Sequence, residues 1–176
     1  AVVLHQLHQR VDRLPAEAIE SFAGVGYPFT ADVIRPGDIV LDIGSGSGTD
    51  TLIAAMSTGS SGVVYGLDMT RAIREKLQRI VSTEQIAHVR VLEGNAEQIP
   101  LQDASVDVVT SNGVLNLVPD KPAAFREIAR VLKPGGRLQI ADIALRVPDR
   151  TSPAPIRGSG PSASSARSPR TTTARS

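Results

Sequence analysis

Val40-Leu-Asp-Ile-Gly-Ser-Gly-Ser-Gly48 runs from an apolar stretch straight into three glycines, each separated from the next by one serine. The apolar stretch reads as a buried strand, the glycines as a turn, and residues 50–58 after them as a helix. Glycine has no Cβ, so a turn of this kind at the carboxyl end of a first parallel strand lets a ligand approach the backbone. A nucleotide-type ligand is expected there. The alternative is a turn that serves only close packing of strand on helix.

The spacing of the glycines separates two kinds of ligand. Dinucleotide sites use G-x-G-x-x-G, with the third glycine inside the helix and a pyrophosphate at its N-terminus. Here the third glycine comes one position early, as Gly44, Gly46 and Gly48, and Asp42 stands two residues before the first. A turn built around a zwitterion, with a carboxylate to receive an ammonium group, suits S-adenosylmethionine better than a pyrophosphate. A nucleotide-dependent oxidoreductase stays open as an alternative on the shared strand–glycine–helix–acid logic.

Outward from this turn, apolar runs alternate with amphipathic ones, the pattern of βαβ units around a mostly parallel sheet with helices on both faces. Strands are expected at 38–43, 62–67, 88–92, 106–110 and 137–141, and helices at about 50–58, 70–84 and 120–132. Residues 1–24 read as a leading amphipathic helix with Leu4, Leu7, Val11 and Leu14 on one stripe. Each strand end then offers a polar group. Asp68, in Gly66-Leu-Asp-Met-Thr70, follows Gly44 by 24 residues, near the spacing of about 20 at which an acid accepts ribose hydroxyls. Its other reading is a helix cap. Met69 would lie beside an adenine as a soft apolar wall or pack into the sheet. Asn95 and Ala96, in Gly94-Asn-Ala-Glu97, would meet the adenine edge, and the backbone of Ser111-Asn-Gly-Val-Leu-Asn116 would wall the crevice across the topological switch point.

Together these segments carry a resemblance. VLDIGSGSG, GLDMT, GNAEQIP, SVDVVTSN and RVLKPGGRLQIADI stand in the order and spacing of class I S-adenosylmethionine-dependent methyltransferases, over about residues 36–145. More narrowly, Phe22-Ala-Gly-Val-Gly-Tyr-Pro28, Gly46-Ser-Gly-Thr-Asp50 and Asn116-Leu-Val-Pro-Asp-Lys121 resemble the arsenite methyltransferase family. The resemblance implies a Rossmann-like fold, S-adenosyl-L-methionine as cofactor and a small-molecule methyl acceptor. It places the cofactor on Asp42, Gly44, Ser45, Gly46, Gly48 and Asp50, and on Asp68, Met69, Asn95, Ala96, Ser111 and Asn112. It names no catalytic residue. It also implies cysteine thiolates that hold trivalent arsenic, and at the matching positions this chain has Val25 and Gly113. A further helix and strand hairpin belong to the family fold after strand five. Here only Ala144-Leu-Arg-Val147 precedes Pro148, so the hairpin is expected to be missing and strand five to be an open edge. A cofactor-binding remnant without activity is the second alternative.

Composition narrows the chemistry further. Among 176 residues there is no cysteine, which excludes disulfides, thiolate metal sites and a cysteine nucleophile. With Phe22, Tyr27, Phe29, Tyr65 and Phe125 as the only aromatic residues, a base-stacking surface for nucleic acid is not expected. No apolar run approaches the roughly 20 residues needed to span a bilayer, and a soluble, cytoplasmic protein is expected. Residues 1–150, the expected cofactor-binding domain, hold 15 basic against 18 acidic residues, whereas residues 151–176 hold four arginines and no acid. This second stretch is dominated by Ser, Thr, Pro and Gly and is expected to be disordered. His5 and His8, at helical spacing without a third ligand nearby, read as a solvated face rather than a metal site.

Overall fold

Strand β1 (Ile39–Ile43) is apolar on both sides and almost fully buried, so it can only lie inside a sheet covered on both faces. In the computed structural model, which describes residues 10–144, β1 is the central strand of five. The others are β2 (Val63–Asp68), β3 (Val89–Glu93), β4 (Val106–Asn112) and β5 (Leu132–Ala141), in the order β3-β2-β1-β4-β5. All neighbours are parallel. Asp42 on β1 stands level with Gly66 on β2 and Thr110 on β4.

Parallel strands need crossovers, and the helices supply them. Helix α1 (Ala16–Glu20) precedes the sheet; α2 (Thr49–Thr58) links β1 to β2, α3 (Arg71–Thr83) links β2 to β3, and α4 (Lys121–Val131) links β4 to β5. One core joins Val40, Val64 and Val108 of the sheet to Leu52 and Ile53 of α2 and Leu77 of α3. The other joins Leu41, Ile43 and Val109 to Ala124, Ile128 and Val131 of α4. Helix α4 starts where Asp120 accepts a hydrogen bond from the Ala123 amide at 2.9 Å, with Pro122 in the first turn.

Two expectations are corrected. The leading helix does not run through to residue 24: the chain turns after Val11, and Pro15, which has no N–H to continue a helix, begins the short α1. Leu14 is buried, while Leu4, Leu7, His5 and His8 lie outside the described residues, as do residues 145–176. Strand β5 begins at Leu132 rather than at residue 137. Its register with β4 steps from Val106↔Leu132 to Val108↔Arg137, so the intervening residues form a bulge within the pairing. The Lys133 ammonium holds both Asp107 oxygens there at 2.9 Å, and Asp107 Oδ2 also accepts the Ile39 amide. Asp107 therefore ties β1, β4 and β5 together.

Among the described residues β5 is the last strand of the sheet, and its Leu138 and Ile140 are exposed. No described helix is long and apolar enough to cross a membrane, and no described cluster of His, Cys, Asp and Glu could hold a metal ion.

The junction of α2 with β2 is tight enough to test. A Cβ built on Gly62 collides with the Asp38 carbonyl oxygen and with Thr58 Oγ1, which donates to that same carbonyl at 2.6 Å. Gly62→Ala should lose about 1–3 kcal/mol in urea unfolding; an unchanged midpoint would show that the junction yields.

Candidate functional site

The glycine turn is fixed by the end of β2. The amides of Gly44 and Ser45 both donate to the Leu67 carbonyl, at 2.8 and 3.0 Å, and the Gly46 amide donates to Asp68 Oδ2 at 3.1 Å. Gly48 caps α2 at φ 101°, where a Cβ would be strained and would strike the Leu77 side chain. Gly44, at φ 73°, is covered by the Val114 side chain, which occupies the place its Cβ would take. The turn is thus held against β2 on one side and reached by the segment after β4 on the other.

A cavity of about 380 Å³ opens at the carboxyl ends of β1, β2 and β3. Of the residues proposed from sequence, Gly44, Asp68, Met69, Asn95 and Ala96 line it together. Asp68 Oδ1 accepts the Thr70 amide at 2.8 Å, so this carboxylate braces both the glycine turn and the start of α3 from the cavity rim. Asn95 Oδ1 accepts the amides of Glu97 and Gln98, which leaves its Nδ2 donor unspent. Met69 is 74% exposed, at the rim rather than packed into the sheet.

The opposite wall begins in the stretch from Ser111 to Asn116 that the sequence places along the crevice, and extends beyond it to residues that sequence reasoning missed. Val114, Leu117, Val118 and Pro119 close the cavity from the segment between β4 and α4, and Ile73 of α3 completes its apolar lining. Their only signal was the stretch Asn116-Leu-Val-Pro, whose apolar residues follow no helix or strand period. Leu117 is 79% exposed at the mouth of the cavity.

The remaining expected residues stand behind or beside the cavity. Asp42 points beneath the turn, 2% exposed, with one oxygen accepting the Thr51 hydroxyl at 2.6 Å and the other the Thr110 hydroxyl at 3.0 Å. It is not at the rim where an ammonium receiver was expected, because its place in the strand turns it toward α2. Asp50, 7% exposed in the first turn of α2, accepts from Asn112 Nδ2 at 2.8 Å. Asn112 is a clamp rather than a cavity wall: its Oδ1 accepts the Val25 and Gly26 amides and its Nδ2 donates to the Gly26 carbonyl. Gly46 and Gly48 act through the turn. Ser45 and Ser111 are buried and their hydroxyls have no hydrogen-bond partner. The Asn112 clamp also brings together the two positions at which the family resemblance implies thiolates. A Cβ on Gly113 would stand 3.3 Å from Val25 Cγ1.

Burial raises the Asp42 carboxyl to about 7, with the Asp50 charge adding to the effect and the two threonine hydroxyls opposing it. Burial likewise raises Asp50, against the Asn112 hydrogen bond. Both acids are buried, and among the described residues no basic side chain is hydrogen-bonded to either.

Comparison with known proteins agrees with this geometry. Residues 34–160 match the family described as a methyltransferase domain. The chain belongs to that family. An arsenite methyltransferase of Halobacterium salinarum is 38% identical over 133 residues, which cover 76% of this chain and 34% of the relative. A demethylmenaquinone methyltransferase of a Geobacillus species is 36% identical over 105 residues, 60% of this chain and 45% of the relative. The crystal structure of an arsenic(III) S-adenosylmethionine methyltransferase from Chlamydomonas reinhardtii superposes with a TM-score of 0.71 at 34% identity, covering 77% of this chain and 48% of that one. The methyltransferase domain therefore has the Rossmann-like class I fold, and the chain spans about a third to a half of the length of these relatives. Neither the oxidoreductase nor the inert-remnant reading is favoured by these matches.

The buried acids predict a pH dependence of stability. Asp42 binds its proton more tightly in the folded chain than at its ordinary 3.8, so folding takes up a proton between 3.8 and about 7. The free methyltransferase domain should therefore lose stability as pH rises through that window, and the cost should be fully present above it. Asp107 and Glu127, whose carboxyls are lowered from 3.8 and 4.5, act with the opposite sign and only below about those values. Asp50, raised to about 6, adds to the same loss, so Asp42→Asn should make the profile of urea midpoints between about pH 5 and 8 shallower; an unaltered slope would remove Asp42 as a source.

Proposed function

We propose that this methyltransferase domain binds S-adenosyl-L-methionine in the cavity at the ends of β1, β2 and β3 and presents its methyl group to a small-molecule acceptor. The observation that carries this reading is Asp68, a carboxylate that pins the glycine turn through Gly46 and lines the same cavity as Asn95. The residues present fit such a cofactor. An ionised carboxylate accepts two ribose hydroxyls, the unspent Asn95 amide meets a ring nitrogen, and Met69, Ile73, Leu117 and Val118 make apolar walls for a planar base. The buried, unpartnered hydroxyls of Ser45 and Ser111 beside the turn are polar groups that the chain itself leaves unsatisfied.

When bound, the cofactor supplies an electrophilic methyl carbon on a good leaving group. No protein nucleophile is then needed, and the chain's contribution is to orient the two reactants and keep water out. The segment from Val114 to Pro119 is placed for the second task, with apolar side chains along one cavity wall. No side chain of the cavity is assigned as a general base.

The acceptor is read from what the chain lacks. The arsenic(III) methyltransferase relative acts on a thiophilic element, whereas this sequence contains no cysteine. Val25 and Gly113, which the Asn112 clamp holds in contact, give that part of the molecule an apolar character. A small acceptor that needs no thiolate is the substrate class this composition supports. The absence of a long apolar helix among the described residues supports a cytoplasmic setting, and the scarcity of aromatic residues argues against nucleic acid as the acceptor.

Calorimetric titration with S-adenosylmethionine, S-adenosylhomocysteine and NAD tests the cofactor. The first two should bind, and binding of NAD alone would overturn the reading. Asp68→Ala should weaken S-adenosylhomocysteine by about 1.5–3 kcal/mol for each charge-assisted hydrogen bond lost. Asp68→Asn, which can still accept the Gly46 amide, should retain the turn but recover only part of the affinity; equal affinity in all three proteins would remove Asp68 from the site.

A further inference from the structure

The wall from Val114 to Pro119 contains one tight turn, Leu115–Leu117, and no longer element to hold it, yet it presents Leu117 at the cavity mouth. Leu115 turns inward and is buried, which anchors the segment from below. Leu117, two residues on, is so exposed that packing cannot fix it. Its position has to come from the backbone.

Hydrogen bonds set that backbone in three places. Within the turn, the Leu117 amide donates to the Val114 carbonyl at 2.9 Å and the Val118 amide to the Leu115 carbonyl at 3.3 Å. Before Leu117, the Asn116 amide donates to Asp142 Oδ2 at 3.0 Å and Asn116 Nδ2 donates to the Ile143 carbonyl, which ties the wall to the chain just beyond β5. The third set belongs to Lys121, whose Nζ donates to the Asn116 carbonyl at 3.0 Å and to the Val118 carbonyl at 3.1 Å. These are the carbonyls on either side of Leu117, which a turn this short leaves without backbone donors of its own. An ammonium carries three donors on a rotating head, so one lysine can hold both. Lys121 is the first residue of α4, whose start is fixed by the Asp120 cap and whose Ala124 and Ile128 lie in the core. The lysine thus sets the wall against a rigid helix, and does not itself line the cavity.

We propose that Lys121 is a positioning residue of the methyltransferase domain: by holding the carbonyls on both sides of Leu117 it keeps that side chain over the nucleoside half of the cofactor, a role that rests on the cofactor reading above and goes beyond it. A wall ordered in advance need not be ordered at the moment of binding, so the lysine raises affinity for any ligand that fills the adenosine cavity. Its donors matter here, not its charge. The gain is therefore the same for adenosine compounds with and without an amino-acid end.

Calorimetric titration with S-adenosylhomocysteine and 5′-methylthioadenosine tests this on the unaltered chain, Lys121→Met, Lys121→Arg, Leu117→Ala and the Lys121→Met, Leu117→Ala double variant. Lys121→Met, which keeps an apolar stem and loses the donors, should weaken both probes by the same factor of about three to ten, from ordering a freed loop at each binding event. Its thermal midpoint should stay at that of the unaltered chain, and Lys121→Arg, which keeps donors, should recover most of the affinity. Adding Leu117→Ala to Lys121→Met should cost much less than Leu117→Ala alone, because the lysine acts through that leucine. A loss confined to S-adenosylhomocysteine would show a charge acting on the ligand, additive losses would show an action elsewhere, and a lowered midpoint would show a merely structural lysine. Each of these, or unchanged affinity in Lys121→Met, would overturn the positioning role and leave the cofactor reading standing. Failure of the unaltered chain to bind either probe would overturn the cofactor reading and the positioning role with it.

Discussion

The carbonyl of Leu67, which receives the amides of both Gly44 and Ser45, is the contact on which the rest of the site depends. It fixes the end of β1 to the end of β2, so the turn cannot move without the strand that carries Asp68. Asp68 completes the tie by accepting the Gly46 amide. A turn held this way must pass close to its neighbours, and glycine is required where Val114 and Leu77 occupy the space of a side chain. The cavity, the start of α2 and the burial of Asp42 all follow from this one anchorage.

Its consequence is a division of labour between the two faces of the sheet. On one side of the turn an apolar cavity with a polar rim is open to a planar ligand. Beneath the turn lies the opposite environment, a buried pair of carboxylates with neutral donors around them. One sequence motif thus borders the cavity through Gly44 and covers the buried Asp42. The strap of Val25 and Gly26 joins this arrangement through Asn112, which hydrogen-bonds the strap and Asp50 with the same amide group. Val25 and Gly113 offer the strap no thiolate, and neither lines the cavity.

Much of this was legible in the sequence. Strands β1 to β4 fall within two residues of their expected limits, because each is an apolar run bounded by glycine, proline or an acid. Strand β5 was mistaken at its start: Lys133-Pro-Gly-Gly136 reads as a turn, and only the tertiary pairing of Lys133 with Asp107 draws it into the sheet. Asp68 and Asn95 were legible because polar residues at the ends of apolar strands have few other reasons to be there. Asp42 was assigned to the rim because a strand buried on both faces gives no alternation from which to read direction. Leu117, Val118 and Pro119 were missed for a related reason. Their part in the cavity comes from the fold of an irregular segment, which leaves no period in the sequence.

The most direct measurement of the central claim is a map of backbone amide shifts on titration with S-adenosylhomocysteine. The account predicts saturable changes at Gly44 to Gly46, at Asp68 to Thr70, at Asn95 to Glu97 and at Val114, the residues that the Leu67 anchorage and the cavity bring together. Changes confined to other parts of the fold, or an unchanged spectrum at saturating ligand, would contradict it.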